Sequence, residues 1–177
     1  MPRGCTWPGR PPKAPDSGAL AEGCVAYGRG ACDKEGTMDN HVRLLTENDA
    51  EMFRAIRLEA LERHPETFQA TYESSAELPL DAFARRLKQY ALFGGFRADE
   101  LSGFGGFYQL KNPKIAHKGI LWGMYVREDA RGTGLAAAMV EAVMDHARGR
   151  VEQILLSVIT DNERARQFYR KMGFEPL

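Results

Sequence analysis

The stretch RGTGLA (131–136) constrains the fold more than any other, because it joins an apolar run ending at Val126 to an amphipathic segment that continues to about residue 148. A strand that gives way to two glycines and then to a helix leaves the first N–H groups of that helix without acceptors, at the positive end of the helix dipole. Glycines have no Cβ, so an anion can approach those groups closely. Arg131 adds a permanent cation that can hold two oxygens. The stretch therefore predicts a phosphate or pyrophosphate site.

Two other interpretations of this stretch stay open on the sequence alone. The glycines can serve only to relieve crowding in a tight strand-to-helix turn. Gly132, Gly134 and Ala137 also fit the G-x-G-x-x-G/A fingerprint of dinucleotide-binding domains. That fingerprint normally opens a parallel sheet with further βαβ units, whereas here an antiparallel meander is predicted before it and only 40 residues follow Ala137. A nicotinamide- or flavin-dependent oxidoreductase is therefore a remote alternative.

Composition divides the chain near Met38, which is a candidate for the true start. Residues 1–37 hold seven of the 18 Gly, five of the nine Pro and all three Cys, and they show neither helical nor strand periodicity. We therefore predict a disordered N-terminal extension over 1–37 and one domain over 38–177. The three Cys are odd in number and match no zinc-binding spacing, so neither a disulfide framework nor a metal site is expected.

The overall charge and hydropathy narrow the class of partners. The formal net charge is zero and the pI is about 6.9, so nucleic acid is not a favoured partner. The longest apolar runs are shorter than a membrane span, and no signal-peptide core is present near the first residue. We expect a soluble cytoplasmic protein that does not bind membranes; whether it is a monomer or a homodimer stays undetermined.

The first half of the domain is predicted to begin with a strand and two helices. The strand covers residues 42–45, and Thr46 and Asp49 have the spacing of a capping box before a helix that Pro65 ends. A second short helix is predicted after Pro79. The apolar face of the first helix is assigned to Met52, Phe53, Ile56, Ala60 and Leu61.

The second half is predicted to contain a meander followed by alternating helices and a strand. Strands over 91–96, 103–110 and 119–126 are joined by the short turns ADELS and KNPKIAHK, which favours antiparallel pairing. A helix over 134–148 buries Leu135, Met139, Val143 and Ala147. A strand follows over 153–159, and the last helix, from about Glu163 to Met172, buries one stripe made of Ala165, Phe168, Tyr169 and Met172.

A second motif lies one strand after the glycine turn. TDNERARQFYRKMGFEP (160–176) carries Asn162, Ala165, Phe168-Tyr169 and Gly173-Phe174. Together with MYVREDARGTGLAAAMVEAV (124–143), it closely resembles the Gcn5-related N-acetyltransferase (GNAT) family over residues 42–177. The resemblance implies an α/β (α+β) fold, with a mixed, mostly antiparallel sheet flanked by helices.

The resemblance also implies a ligand and a reaction. The cosubstrate would be acetyl-CoA, with no metal, and the acceptor a primary amine of a small molecule or a protein, acetylated by direct transfer in a ternary complex. The pantetheine arm would lie where strands 119–126 and 153–159 splay apart. Asn162 would contact the cofactor, and Tyr169 would be the general acid, since a phenol stays protonated at neutral pH. The remaining implied cofactor-binding residues are Met124, Tyr125 and Val126 for the pantetheine, and Arg131, Gly132, Thr133, Gly134, Leu135, Ala136 and Ala137 for the pyrophosphate.

The chain departs from the family pattern at the general base. The two positions where relatives carry a glutamate are Ile120 and Ser157 here. His117 and Glu128 lie near the right strand, but attack by an already neutral amine and proton loss through water are equally open. For the acceptor, Phe68 and Tyr72 are candidates for an aromatic wall and Glu73 for a cation-attracting group, although ordinary packing and solvation explain them as well.

The C-terminal end also differs from the family. Relatives continue past GFEP into two more strands, so we expect these strands to be missing and the strand over 153–159 to keep an unpaired edge. This favours, as an alternative to an enzyme, a vestigial or regulatory CoA-binding domain, or a fragment, without turnover.

Overall fold

The structure, a computed structural model, describes residues 40–177 in full and the backbone of residues 3–8. The described residues form seven strands and five α-helices. Short 3₁₀ turns lie at Glu47–Asp49, Pro65–Thr67 and Glu128–Ala130. The elements are, in chain order, β1 (Arg3–Pro8), β2 (Asn40–Leu44), α1 (Ala50–Arg63), α2 (Tyr72–Ala76), α3 (Leu80–Gln89), β3 (Ala91–Arg97), β4 (Glu100–Gln109), β5 (Lys118–Val126), α4 (Leu135–Ala147), β6 (Gln153–Val158), α5 (Glu163–Lys171) and β7 (Glu175–Pro176).

The strands form one mixed sheet in the order β2-β3-β4-β5-β6-β1-β7. The pairs from β2 to β5 are antiparallel, as the sequence predicts for the meander. β5 and β6 are parallel, and α4 forms the crossover between them. The turn between β3 and β4 is shorter than predicted, because Ala98 and Asp99 both take positive φ values of 46° and 66°. Such a two-residue turn matches the twist of the strands, so β4 begins already at Glu100.

Helices cover both faces of the sheet, which makes this an α/β fold with a mostly antiparallel sheet. α1 and α3 pack on the face that carries Leu92, Phe96 and Phe104, whereas α4 packs on the face that carries Phe93 and Phe107. No helix in residues 40–177 combines the length and the apolar composition that a membrane crossing requires.

Glycines in the meander let α4 lie close to the sheet. A Cβ on Gly95 would stand 2.6 Å from the sulfur of Met139, well inside contact distance. Met139 and the other three predicted α4 core residues are at most 1% exposed. The predicted stripe of α1 is wrong at two positions, since Met52 is 40% exposed and Arg57, which was not assigned to it, is only 6% exposed.

The far edge of the sheet differs from the sequence prediction. β1 pairs antiparallel with β6 along its whole length, from Arg3 opposite Val158 to Pro8 opposite Gln153. β1 also pairs with β7, which follows α5. The predicted disordered extension is therefore wrong for residues 3–8, and the predicted unpaired edge is wrong for β6. The prediction rested on side-chain pattern, whereas an edge strand pairs through backbone groups that every residue except proline supplies in full. Residues 9–37 of the predicted extension lie outside the described residues.

Candidate functional site at the separation of two parallel strands

The site begins where β5 and β6 separate. The two strands pair over only three positions, from Lys118 opposite Gln153 to Ile120 opposite Leu155. β5 continues for six more residues to Val126 while staying paired with β4 on its other side. The sheet therefore opens into a cleft at the end of β5, as the sequence resemblance implies.

A cavity of about 500 Å³ occupies the end of this cleft. None of the described residues that line it is acidic, and Arg131 and Arg164 contribute permanent positive charge. Ten of the twelve predicted site residues line it, and the exceptions are Thr133 and Leu135. The lining predicted from the sequence comprises Met124, Tyr125, Val126, Arg131, Gly132, Gly134, Ala136, Ala137, Asn162 and Tyr169.

The glycine turn leaves the start of α4 open. Gly132 and Gly134 have φ values of +80° and +86°, a backbone conformation that favours glycine, and a Cβ on either would meet no atom of the described residues within 4 Å. Gly134 is the N-cap of α4, and the described residues supply no side-chain cap to the start of this helix. The first amides of α4 consequently keep their hydrogen-bonding capacity for an external acceptor.

Hydrogen bonds from outside the turn hold it in place. Thr133 donates its hydroxyl to the carbonyl of Ala130 at 2.7 Å, and its own carbonyl accepts from Asn40 Nδ2 at 2.8 Å. Leu135 is fully buried against the sheet. The side chains of Thr133 and Leu135 thus anchor the turn, and only their backbone amides are placed to meet a ligand.

Arg131 connects three parts of the site. Its Nε donates to the carbonyl of Val126 at 3.1 Å, and its Nη2 lies 3.1 Å from Nε2 of His64. Because a guanidinium can only donate, His64 Nε2 is the acceptor in this contact. Sequence analysis missed His64, whose contact with Arg131 spans 67 residues of sequence.

The last helix supplies Asn162 and Tyr169. Asn162 is the N-cap of α5 and accepts from the amide of Ala165 at 3.0 Å through Oδ1. Tyr169 is 8% exposed and packs edge-on against Phe168 and Phe174, with ring centroids 5.1 and 5.6 Å away. Tyr169 therefore belongs both to the core and to the lining of the cavity.

A second tyrosine in the cavity has its hydroxyl engaged elsewhere. Tyr125 donates to Glu59 Oε1 at 2.8 Å, and Glu59 also pairs with Arg127 at 2.9 Å. Burial, together with the hydrogen bond to the Glu59 carboxylate, raises the pKa of Tyr125 to about 12. Burial raises the pKa of Glu59, but the hydrogen bonds from Arg127 and Tyr125 outweigh burial, so the pKa of Glu59 is lowered overall. The Tyr125 hydroxyl thus remains a proton-bearing donor to Glu59.

A larger cavity of about 1090 Å³ adjoins the first, and Thr67 and Phe68 line both. Trp122 and Gly123 of β5 face it, one step before the residues of β5 that line the first cavity. Ser157 on β6 also lines it. The two cavities thus flank the same opening in the sheet.

The structure brings together only some of the predicted acceptor and base candidates. Phe68 lines both cavities, whereas Tyr72 and Glu73 are exposed and line neither. His117 and Glu128 are exposed and lie outside both linings, because each belongs to a turn beyond an end of β5. Ile120 and Ser157 do line the larger cavity, so these positions face the cleft without providing a carboxylate.

Comparison with known proteins finds one matching family and curated relatives that are acetyltransferases. The acetyltransferase (GNAT) family matches residues 52–174. A mycothiol acetyltransferase from Saccharomonospora viridis is 32% identical over 138 residues, which cover 73% of this chain and 43% of that protein. A 5-NmdU N-acetyltransferase from Pseudomonas phage PaMx11 is 35% identical over 69 residues, which cover 39% of this chain and 48% of that protein. The chain thus spans less than half the length of these curated relatives.

Solved structures show the same fold. A GNAT-family acetyltransferase from Streptococcus pneumoniae superposes with a TM-score of 0.68 at 18% identity, covering 77% of this chain and 84% of that one. A ribosomal-protein-alanine N-acetyltransferase from Brucella melitensis superposes with a TM-score of 0.64 at 21% identity, covering 76% and 84%. With the family match over more than half of its length, this chain belongs to the GNAT family of acetyltransferases.

Proposed function

We propose that the chain is an acetyl-CoA-dependent N-acetyltransferase that acetylates a primary amine by direct transfer in a ternary complex. The observation that carries the proposal is the meeting of three features in one cavity: the opening between β5 and β6, the uncapped start of α4 at Gly134, and Tyr169 of α5. The acceptor would be a small molecule or a protein, with no nucleic acid, membrane or metal involved.

The features of the first cavity fit acetyl-CoA. The open side of Gly132 and Gly134 and the uncapped amides that follow would hold the pyrophosphate. Arg131 and Arg164 would balance its charge, since the described lining contains no acidic residue. The backbone of Met124 to Val126 would contact the pantetheine arm. The side chain of Asn162 would contact the same cosubstrate. Bound acetyl-CoA supplies the thioester carbonyl that the amine attacks.

The protein's part in the reaction is to hold the reactants and to supply a proton. Tyr169 would give its hydroxyl proton to the departing thiolate, as a positioned general acid. No acidic residue lines either cavity among the described residues, so the amine would lose its proton to water or enter neutral. His64 contacts Arg131 through Nε2 and is not assigned as the base.

The missing carboxylates at Ile120 and Ser157 favour one alternative of a different class. A vestigial or regulatory GNAT domain would keep the backbone site for CoA but would not turn over. Both functions predict CoA binding, and only the enzyme predicts release of the CoA thiol.

Two measurements on the same preparation test the proposal. CoA at millimolar concentration should raise the melting temperature by mass action, whereas NAD should leave it unchanged. Acetyl-CoA should then release free thiol with at least one amine of a broad panel. Stabilisation by CoA without thiol release across the panel would favour the domain without turnover, and stabilisation by NAD alone would point to the oxidoreductase.

A further inference from the structure

The larger cavity is positively charged. Four permanent cations and one histidine line it, from four separate parts of the chain, and none of its described lining residues is acidic. None of the four permanent cations forms an ion pair within 4 Å with a described carboxylate. The positively ionisable lining residues are Arg57, Arg86, Lys111, His146 and Arg150. A cleft lined by one sign of charge concentrates ligands of the opposite sign.

Arg57 is the buried member of this set. It lies on the third turn of α1 between Phe53 and Ala60, and only 6% of its surface is exposed. Its guanidinium stands over the rings of Phe68 and Phe104, at 4.4 and 5.7 Å from their centroids. Burial, and to a lesser extent Arg86, lowers the pKa of Arg57 to about 10, so the group still carries its charge at neutral pH.

The unpartnered buried polar atoms in the described lining of this cavity are all hydrogen-bond donors. Nε and Nη1 of Arg57 are buried without a hydrogen-bond partner among the described residues, and so is Nε1 of Trp122, which lines the same cavity. A buried donor without an acceptor is unfavourable, and a buried cation without a counter-ion more so. A ligand that relieves all three must bring acceptor oxygens and negative charge.

The free cation lies next to the strand that leads to the first cavity. A Cβ on Gly123 would stand 3.9 Å from Arg57 Nη1. Gly123 has a φ of +68° and immediately precedes Met124, where β5 begins to line the first cavity. An anion held by Arg57 would consequently lie beside Gly123, directly before the part of β5 that would contact the pantetheine arm under the proposed function.

We propose that the larger cavity selects a small primary amine that carries a carboxylate or phosphate a few bonds away, with that oxyanion bound by Arg57 and Trp122 Nε1. The inference rests on the proposed function, because it names the acceptor class of that reaction. A guanidinium suits both oxyanions, since its planar donors pair with two oxygens at once.

Matched amines test the proposal in thiol-release assays on the full chain. Free amino acids are compared with their amides, and 2-aminoethyl phosphate with ethanolamine, so that each pair differs in the negative charge. The anion-bearing member of at least one pair should have a kcat/KM at least tenfold higher, and the better pair identifies the oxyanion. Equal use of both members of both pairs would overturn the inference.

Substitution of Arg57 locates the selectivity. Arg57→Met keeps the length of the side chain but removes the charge, so it should raise KM for the anionic amine at least tenfold and change KM for its neutral counterpart less than threefold. Arg57→Lys should recover part of the loss. Arg54→Met is the matched control, because Arg54 lies one turn earlier on α1 and lines neither cavity. A charge preference that survives in folded Arg57→Met would overturn the inference.

A binding measurement separates failure of the inference from failure of the proposed function. Trp7 and Trp122 are the two tryptophans of the chain, so a Trp7→Phe protein reports on Trp122 alone. Titration with 2-aminoethyl phosphate or an amino acid should change its fluorescence saturably, and Arg57→Met should raise the Kd at least tenfold. Such binding without turnover of any amine would contradict the enzyme and support the anion site. No saturable change with either anionic amine would overturn the anion site, even if neutral amines are acetylated.

Discussion

The two cavities that meet at Thr67 and Phe68 are built from different kinds of group. The smaller one is shaped by backbone: the open turn at Gly132 and Gly134, the uncapped start of α4 and the end of β5. The larger one is shaped by long side chains from separate elements, including Arg57 of α1, Arg86 of α3 and Trp122 of β5.

Under the proposed function, this difference suits the two cavities to different tasks. A backbone site binds whatever brings an anion to the amides, and its properties depend on conformation more than on side-chain identity. A side-chain site changes with every substitution, so it suits the discrimination of one acceptor from another. If the proposed function holds, the same fold can keep a common cosubstrate site beside a variable acceptor site.

The largest expected effect concerns Tyr169, the candidate acid in the backbone-built cavity. Tyr169→Phe removes one hydroxyl and keeps the ring against Phe168 and Phe174, so turnover should fall roughly 10²- to 10⁴-fold, the usual contribution of a positioned acid. CoA affinity should stay within a few-fold. Steady-state rates and CoA titrations on one preparation measure both, with Tyr72→Phe, an exposed tyrosine outside both cavities, as the control. Near-normal turnover in folded Tyr169→Phe would leave Tyr169 as a core residue only.

The second-largest expected effect is a loss of CoA affinity at Gly134, which tests whether the proposed cosubstrate site depends on the backbone. Gly134→Val places a β-branched side chain at a φ of +86°, on a side where no described atom lies within 4 Å, and should weaken CoA binding by about 10- to 100-fold. Gly149→Val is the matched control, because Gly149 has a φ of +77° and equally open surroundings but lies outside both cavities. Calorimetric titration with CoA compares them. Equal affinity in the two folded variants would refute the pyrophosphate assignment.

A smaller effect is expected where a side chain supports the backbone site. Arg131→Lys keeps the charge but loses the planar fork that bonds the Val126 carbonyl through Nε and reaches His64 through Nη2, so CoA should bind roughly 3- to 10-fold more weakly. Arg166→Lys, which changes an arginine paired with Glu163 on α5 outside the cavity, should have no effect on the same titration. A loss from Arg131→Lys as large as that from Gly134→Val would show that the side chain, and not the amides, dominates binding.

The smallest effect concerns pH and the side-chain-built cavity. His146 packs between Phe93 and Phe107, and burial, followed by the charge of Arg150, lowers its pKa. Because the unfolded chain then binds the proton more readily, the stabilising contribution is present above about pH 6.5 and is lost as the pH falls through the folded value. The loss should stay below about 1 kcal/mol, since solvent screens this half-buried group.

His146→Phe should remove that dependence, as measured by urea unfolding between pH 5 and pH 8. His41→Phe is the control, because His41 stacks on Phe96 but is exposed on the edge strand β2. The same slope with pH in His146→Phe as in the unchanged chain would show that another group is responsible.

The difference between the two cavities also explains which parts of the site were predictable from sequence. The glycine turn and the start of α4 lie within six consecutive residues, so local conformational rules predict their anion-binding form from sequence. Asn162 and Tyr169 were assigned through a second compact motif. The sequence marks Arg57 as a site residue only weakly: it is a charged residue on the apolar stripe formed by Phe53, Ile56 and Ala60. Nothing in the sequence marks His64 or Arg86 as a site residue, because their neighbours in the site lie on other elements.

Sequence alone determined most of the elements from β2 to α5, the antiparallel meander and the family, because these depend on periodicity and on motifs a few residues long; it missed β1, α2 and β7. Tertiary structure decided which strand completes the edge of β6, because backbone pairing in β1 does not depend on side-chain pattern. It also decided that Arg57 lies buried beside Gly123, without a hydrogen-bond partner for Nε and Nη1 among the residues that the structure describes. A charge acquires that environment only when α1 packs across the sheet, and no local rule contains the distance between those two elements.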